Sequence, residues 1–259
     1  MMTGGVRIIA VPGVPDIRPG DDLPAILGEC LAHSDDGMQA GDVACVAHKI
    51  VSKAEGNLIR LDSVTPSPEA QAYGRELNKD PRKVEIILGE SAKVIRAFRR
   101  DDQDEGTMIC EHRLGMISAN AGVDESNADA PGTVITLPRD PDGSAQALKG
   151  ALEARFGRPI GIVITDTFGR PWRLGQVNVA VGLAGVPTTL PEAGEVDGWG
   201  RPLAVTEPAL ADEIAAASGL VVRKAAKTPL VLMRGLSWAP QPATRARDIL
   251  RARTEDMFR

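Results

Sequence analysis

The chain has few cysteines, and this shortage excludes two kinds of architecture. Its three cysteines, Cys30, Cys45 and Cys110, are odd in number, lie far apart and form no C-x-x-C pair. A disulfide framework or a structural zinc site needs cysteines at short, regular spacing. At 259 residues the chain is also long enough to build a core without such staples. We therefore expect a protein of the reducing cytoplasm.

Long apolar runs are missing as well. No segment approaches the roughly 20 apolar residues that cross a bilayer. The N-terminal apolar run is interrupted by Pro12 and reaches an acid at Asp16, which is too early for a signal peptide. From these absences we expect a soluble protein that is not secreted and has no membrane partner.

The charge balance excludes a further class of partner. The chain carries 30 basic and 35 acidic residues, for a net charge of -5, so it has no global basic field for holding a nucleic acid backbone. Hydrophobic residues make up 43% and charged residues 25%, as in ordinary globular proteins. We find no repeat or flexible linker and treat residues 1–259 as a single unit.

The common catalytic signatures are absent. The sequence has no G-x-x-x-x-G-K-[ST], G-x-G-x-x-G, H-E-x-x-H or G-x-S-x-G motif. Its three histidines, His33, His48 and His112, fit no triad pattern. Any chemistry should therefore depend on carboxylates and lysines.

Apolar periodicity and turn residues predict a mixture of strands and helices. Because the two do not alternate regularly, we predict an α+β fold of mixed sheets with flanking helices rather than a doubly wound parallel sheet. The predicted strands are 6–11, 43–47, 107–110, 116–118, 133–137, 160–165, 177–184 and 230–233, and the predicted helices are 23–31, 66–77, 84–99, 144–156 and 208–222.

The first candidate segment for chemistry is residues 120–127, with the sequence NAGVDESN. It offers two carboxylates, a hydroxyl and two amides, and hard cations such as Mg²⁺ prefer oxygen ligands of these kinds. The alternative is a polar turn whose side chains bond to their own backbone.

The second segment directly follows the most apolar predicted strand, 160–165. We expect this strand to stop at Asp166, so that residues 166–173 form a loop at its carboxyl end. There Asp166 and Thr167 can face a ligand crevice, and Arg170 and Arg173 can bind anions. The alternative is a loop in which Asp166 caps the backbone and pairs with Arg170.

The third feature is a pair of segments, 13–16 and 48–53, that each follow a strand. The second is expected to be a strand exit carrying Lys49 and Lys53. Glycine permits close backbone approach to a ligand, and lysine neutralises phosphoryl oxygens. The alternative is that both lysines are solvated surface residues.

Taken together, six segments resemble the coenzyme F420-0:L-glutamate ligase family, also called gamma-glutamyl ligases. They occur in this order along nearly the whole chain: GVPDIRPGDDL, HKIVSKAEG, SANAGVDESN, DPDGSA, TDTFGRPWRLGQ and VRKAAKTPLVLMRGL. The resemblance implies a homodimeric α+β ligase with two closely packed subdomains. It further implies that GTP and Mg²⁺ or Mn²⁺ are used, with K⁺ as an additional candidate ion, to join L-glutamate to the F420 precursor through an acyl phosphate. Later additions would form γ-linked glutamates.

The resemblance also implies the site residues. Asp124, Asp166 and Lys53 match catalytic positions, and Asp124, Asp166 and Thr167 match the cation ligands. The matching nucleotide contacts are Gly13, Val14, Pro15, Asp16, His48, Lys49, Lys53 and Asn127.

Several alternatives remain open at this point. Some relatives have a glycine and an acid that help to hold a second cation where this chain has Arg223 and Lys224, so one or two cations are compatible with the sequence. The same machinery can act on another acceptor or amino acid. A GTP-binding regulator without turnover and a purely structural dimerisation module are the competing classes.

Overall fold

The computed structural model describes residues 5–34, 37–222 and 227–256, which form sheets of five, three and two strands together with six α-helices. This confirms the predicted α+β class. The strands are β1 Arg7–Ala10, β2 Val43–Ala47, β3 Leu58–Arg60, β4 Ser91–Phe98, β5 Thr107–His112, β6 Ile117–Ala119, β7 Thr133–Ile135, β8 Gly161–Arg170, β9 Arg173–Ala184 and β10 Leu230–Arg234. The helices are α1 Leu23–Ala32, α2 His48–Ala54, α3 Pro68–Leu77, α4 Pro81–Glu90, α5 Pro141–Phe156 and α6 Leu210–Ser218. None of these helices is long and apolar enough to cross a membrane.

The five-stranded sheet has the order β1-β10-β2-β8-β9, and β2 and β8 are its parallel pair. Strand β2 and the first four residues of β8, Gly161–Ile164, are apolar and buried, as expected where both faces of a parallel pair are covered. Ala44 and Val46 belong to a core that includes residues of α1 and α5, whereas Val43 and Cys45 belong to a core that includes residues of α6. Burial raises the pKa of the Cys45 thiol to about 12, so it remains a neutral packing group.

The register of this parallel pair positions the candidate site. Ala47, the last residue of β2, is the partner of Thr165 in β8. Since parallel strands share one carboxyl edge, the residues that follow, His48 and Asp166, lie side by side.

A third core supports the smaller part of the fold. Helices α3 and α4 pack on the β4-β5-β6 sheet through a cluster that includes Leu77, Val84 and Ile87. The same cluster contains Ala121 and Val123, and thus the beginning of the acidic segment 120–129 rests on this core.

The predicted helix over 84–99 is wrong in its second half. Helix α4 ends at Glu90, and Ser91–Phe98 form β4, which pairs antiparallel with β5. Hydrogen bonding to a strand that lies later in the chain outweighs the local helical spacing.

The predicted loop over 166–173 is also wrong. Strand β8 continues to Arg170 and turns through Pro171 and Trp172 into β9, with a register shift between Ile164 and Thr165. Antiparallel pairing with β9 keeps Asp166 and Thr167 in extended backbone, opposite Val179 and Asn178. These two site residues therefore lie on a strand.

Residues 48–54, predicted to be a strand exit, form helix α2 immediately after β2. The helix buries Ile50 and Val51 in the core. Its four-residue spacing places Lys49 and Lys53 on one face. Smaller differences concern the ends of elements: α5 begins at Pro141 behind its cap Asp140, and α6 covers only Leu210–Ser218.

Candidate active site

A cavity of about 790 Å³ opens at the carboxyl edge of β2 and β8. Its walls come from the segment after β1, from α2, from residues 124 and 127–129 of the acidic segment and from β8 and β9. Of the site residues that the family resemblance implies, all except Gly13 line it: Val14, Pro15, Asp16, His48, Lys49, Lys53, Asp124, Asn127, Asp166 and Thr167. Arg170 and Arg173, the candidate anion-binding residues, do not line it. Gly13 lies in the preceding turn with a positive φ of 86°, a conformation that favours glycine.

Asp124 enters the cavity from a segment held by backbone pairing. Its N–H donates to the Ile135 carbonyl at 3.1 Å, and its carbonyl accepts from the Ile135 N–H at 2.8 Å. The carboxylate accepts from Lys49 Nζ at 2.5 Å and from Ser126 Oγ at 2.6 Å. Burial alone would raise the pKa of Asp124, but these hydrogen bonds outweigh it and hold the pKa well below its usual range. Asp124 is therefore ionised at neutral pH.

Two nitrogen groups contact the carboxylate of Asp166. His48 Nε2 lies 3.3 Å from Asp166 Oδ1, and the Thr167 N–H donates to the same oxygen at 2.7 Å. The His48 ring is fully buried and its Nδ1 lies 3.3 Å from Ser52 Oγ, which fixes its orientation. Burial raises the pKa of Asp166, whereas His48, the Thr167 N–H and Lys49 lower it by a larger amount. Lys49 thus acts electrostatically on both aspartates.

The second lysine of α2 is paired too. Lys53 Nζ donates to the carboxylate of Asp129, so both lysines are bound to the acidic segment. Asp129 was not among the residues predicted from the sequence. The only signal for it is its position two residues after the candidate segment 120–127.

Thr167 is held by a cross-strand contact. Its hydroxyl donates to Asn178 Oδ1 at 2.9 Å, because the two residues are partners in the β8–β9 register. Asn178 also lines the cavity, as does Gln176 two residues earlier in the same strand.

At the opposite wall, Lys227 Nζ lies 3.2 Å from Asp16 Oδ1, and both side chains are exposed. Arg18 lines the same wall. Arg223 and Lys224, which bear on the number of cations, lie outside the described residues.

The oxygen donors of the cavity fit a divalent cation that keeps ligands from water and substrate. Among the described residues, no three His, Cys, Asp or Glu side chains converge as a ready-made metal centre. Mg²⁺ usually uses only one or two carboxylates, with water and substrate phosphates completing its shell. Asp124 and Asp166, which line one cavity and both feel the charge of Lys49, fit that mode of binding.

The fold and the cavity thus define an α+β protein in which carboxylates and lysines line one cavity at a sheet edge. The family model for F420-0:gamma-glutamyl ligase matches residues 13–235. Coenzyme F420:L-glutamate ligase of Methanothermobacter thermautotrophicus is 42% identical over 257 residues, covering 98% of this chain and 99% of the relative. The enzyme of the same name from Methanopyrus kandleri is 44% identical over 258 residues, covering 98% of both chains. That of Methanocaldococcus jannaschii is 36% identical over 223 residues, or 86% of both.

The chain belongs to the F420-0:gamma-glutamyl ligase family, and it is a ligase. The family membership and enzyme class predicted from the sequence are confirmed.

Proposed function

We propose that this protein is a GTP-dependent ligase that joins L-glutamate to coenzyme F420-0 and then adds further γ-linked glutamates. One observation carries the proposal: Lys49, Asp124 and Asp166 come from three separate parts of the chain and line one cavity. Their charges suit a nucleotide triphosphate bound with a cation. The names of the relatives supply the acceptor and the amino acid.

The proposed reaction has two displacements. An oxygen of the acceptor carboxylate attacks the γ-phosphorus of GTP, the bond to the bridging oxygen breaks, and GDP leaves. The amine of glutamate then attacks the acyl carbon of the resulting acyl phosphate, inorganic phosphate leaves, and the amine loses a proton to solvent. Transfer of this kind depends mainly on positioning and charge neutralisation.

In this proposal each residue has a task in binding. Asp124, Asp166 and Thr167 would hold Mg²⁺ or Mn²⁺, which when bound neutralises phosphate charge. K⁺ remains a further candidate ion. The remaining wall residues would contact the nucleotide: Val14, Pro15, Asp16, His48, Lys49, Lys53 and Asn127.

The lysines have to change partners when substrates bind. Lys49 and Lys53 are bound to Asp124 and Asp129 in this structure. A cation that takes the Asp124 carboxylate would release Lys49 toward a phosphate. The Asp124 carboxylate would then be paired with the cation and Lys49 with the phosphate. Because neither charge is left unpaired, the free-energy cost of burying them is lower.

The direct test uses purified protein with coenzyme F420-0, L-glutamate and Mn²⁺. We expect GDP to be released only with all components present and the product mass to rise by one glutamyl residue. With ¹⁸O in the acceptor carboxylate, one label should appear in the released phosphate. Release of unlabelled phosphate would contradict the acyl phosphate route.

The same assay separates the alternatives. Turnover only with another acceptor or amino acid would keep the machinery and change the substrate. GTP binding without GDP release under all these conditions would favour a regulatory protein.

We also propose that the protein acts as a homodimer in the cytoplasm. Two regions carry exposed apolar side chains. Trp172 lies in the β8–β9 turn and Leu174 at the start of β9, and the segment after β9 has Val196, Trp199 and Val205. Large apolar side chains that group into exposed patches are typical of protein interfaces. Light scattering should give the mass of two chains, and Leu174→Glu should shift it toward one.

A further inference from the structure

A row of alternating charges adjoins the acidic segment, outside the cavity. Lys79 Nζ donates to Glu105 Oε2 at 2.7 Å, and Lys83 Nζ lies 3.2 Å from the same oxygen. Lys83 Nζ also donates to Glu125 Oε2 at 2.7 Å. The order of contacts is therefore Lys79, Glu105, Lys83 and Glu125.

The two lysines of this row of charges are buried. The side chain of Lys79 is 2% exposed and that of Lys83 is 9% exposed, whereas their glutamate partners are nearly half exposed. Burial would lower the pKa of Lys83, but Glu125 and Glu105 outweigh it and raise the pKa. A buried ammonium needs such partners, because an unpaired buried charge is strongly destabilising.

The last residue in this row of charges adjoins a proposed cation ligand. Glu125 is the neighbour of Asp124, whose backbone pairs with Ile135, and Val123 on the other side is buried in the third core. Upstream of the carboxylate the segment is thus fixed by packing. Immediately downstream, the contact that holds it from beneath is the ion pair between Glu125 and Lys83.

On the cavity side, the segment is held by contacts that the proposed function requires to break. Lys49 binds Asp124 and Ser126, and Lys53 binds Asp129. If both lysines turn to phosphates, these contacts are lost during turnover. The pair between Lys83 and Glu125 does not line the cavity and need not change.

We propose that Lys83 is a positioning residue that holds the acidic segment in place through Glu125, so that Asp124 keeps its orientation when Lys49 leaves it. This inference rests on the proposed function. Partners that orient a metal ligand from behind typically matter about 10- to 100-fold in metal affinity or activity.

The chain offers a matched control. Lys79 is equally buried and belongs to the same row of charges, but it contacts Glu105 and not Glu125. Lys79→Met therefore removes a buried ammonium from the same part of the fold without releasing the acidic segment. Lys83→Arg keeps a charge at the position and serves as the rescue variant.

The experiment compares full-length wild type, Lys83→Met, Lys83→Arg, Lys79→Met and Glu125→Gln. Amide hydrogen exchange is measured over residues 123–130 without ligands, and Mn²⁺ affinity is measured by electron paramagnetic resonance with a non-hydrolysable GTP analogue. For Lys83→Met we expect at least about tenfold faster exchange in this segment and about tenfold weaker Mn²⁺ binding. Lys83→Arg should recover most of both, and Lys79→Met should change neither.

The outcomes are separable. Equal exchange in Lys83→Met and wild type, or equal effects of Lys83→Met and Lys79→Met, would overturn the positioning role. If Lys83→Met does not fold, Glu125→Gln decides, since it leaves Lys83 paired with Glu105. Wild type that binds neither Mn²⁺ nor the analogue would refute the proposed function, while the exchange data would still test the hold of Lys83 on the segment.

Discussion

Lys49 Nζ lies 2.5 Å from Asp124 Oδ2, although the two residues are 75 positions apart in the chain. One is on the helix that follows a central strand, and the other is on a segment supported by the smaller core. The contact joins the two main packing units at the cavity. The position of each side chain therefore depends on the other, and Lys49 helps to keep Asp124 ionised.

Replacing Asp166 tests the cation proposal most directly. Asp166→Asn removes one ligand charge but no core volume, so we expect at least about a hundredfold loss of ligase activity. Asn can still accept the hydrogen bond from the Thr167 N–H. The melting temperature should stay within a few degrees of wild type, and Asp62→Asn, an exposed carboxylate outside the cavity, should leave activity unchanged. An unfolded Asp166→Asn protein would instead assign the residue to structure.

Lys49→Met tests the contact that joins the two packing units. The variant removes a charged donor, and hydrogen bonds to charged groups contribute about 1.5–3 kcal/mol. We therefore expect nucleotide affinity, measured by calorimetry, to fall about 10- to 100-fold. Lys149→Met is the control, because Lys149 pairs with Glu153 on a helix surface away from the cavity. An unchanged nucleotide affinity in Lys49→Met would argue against a phosphate contact.

The low pKa of Asp124 predicts the pH dependence of stability. The unfolded aspartate has a pKa near ~3.9, and the folded value lies below it, so the unfolded state binds more protons in between. The stabilisation from Asp124 is fully present above the unfolded pKa and is lost as the pH falls through the folded pKa. Urea unfolding should show that wild type has a higher free energy of unfolding than Asp124→Asn above pH ~4. This difference should become smaller below that pH. A difference that grows in acid would mean that the pKa of Asp124 is raised.

Gly182 tests the packing of the main sheet against α5. A Cβ on this residue would lie 2.5 Å from the Pro141 carbonyl oxygen at the start of the helix. Gly182→Ala should therefore lower the free energy of unfolding by about 1–3 kcal/mol. Gly150 lies within α5 with no atom near its would-be Cβ, so Gly150→Ala should raise it by roughly 0.5–1 kcal/mol. Denaturant titration of both variants measures the difference.

Much of the site was predictable because its residues follow recognisable strands. The apolar strands β2 and β8 are evident in the sequence, and the polar residues after them, His48 and Asp166, do reach one cavity. The segment around Asp124 was identified by its oxygen donors. Asp129 and Lys83 were missed, since each acts through a partner that is distant in the chain or lies outside a recognisable motif.

The sequence alone sufficed for the α+β class, the buried central strands, most of helices α1 and α5 and the family to which the chain belongs. Those features depend on local periodicity and on ordered motifs, all of which can be read from neighbouring residues. Only the tertiary structure decided that Ser91–Phe98 is a strand, that Asp166 lies on a hairpin and that two lysines of α2 hold the acidic segment. The physical reason is that backbone pairing and ion pairing between distant segments contribute more than local propensity, and no window of the sequence contains both partners.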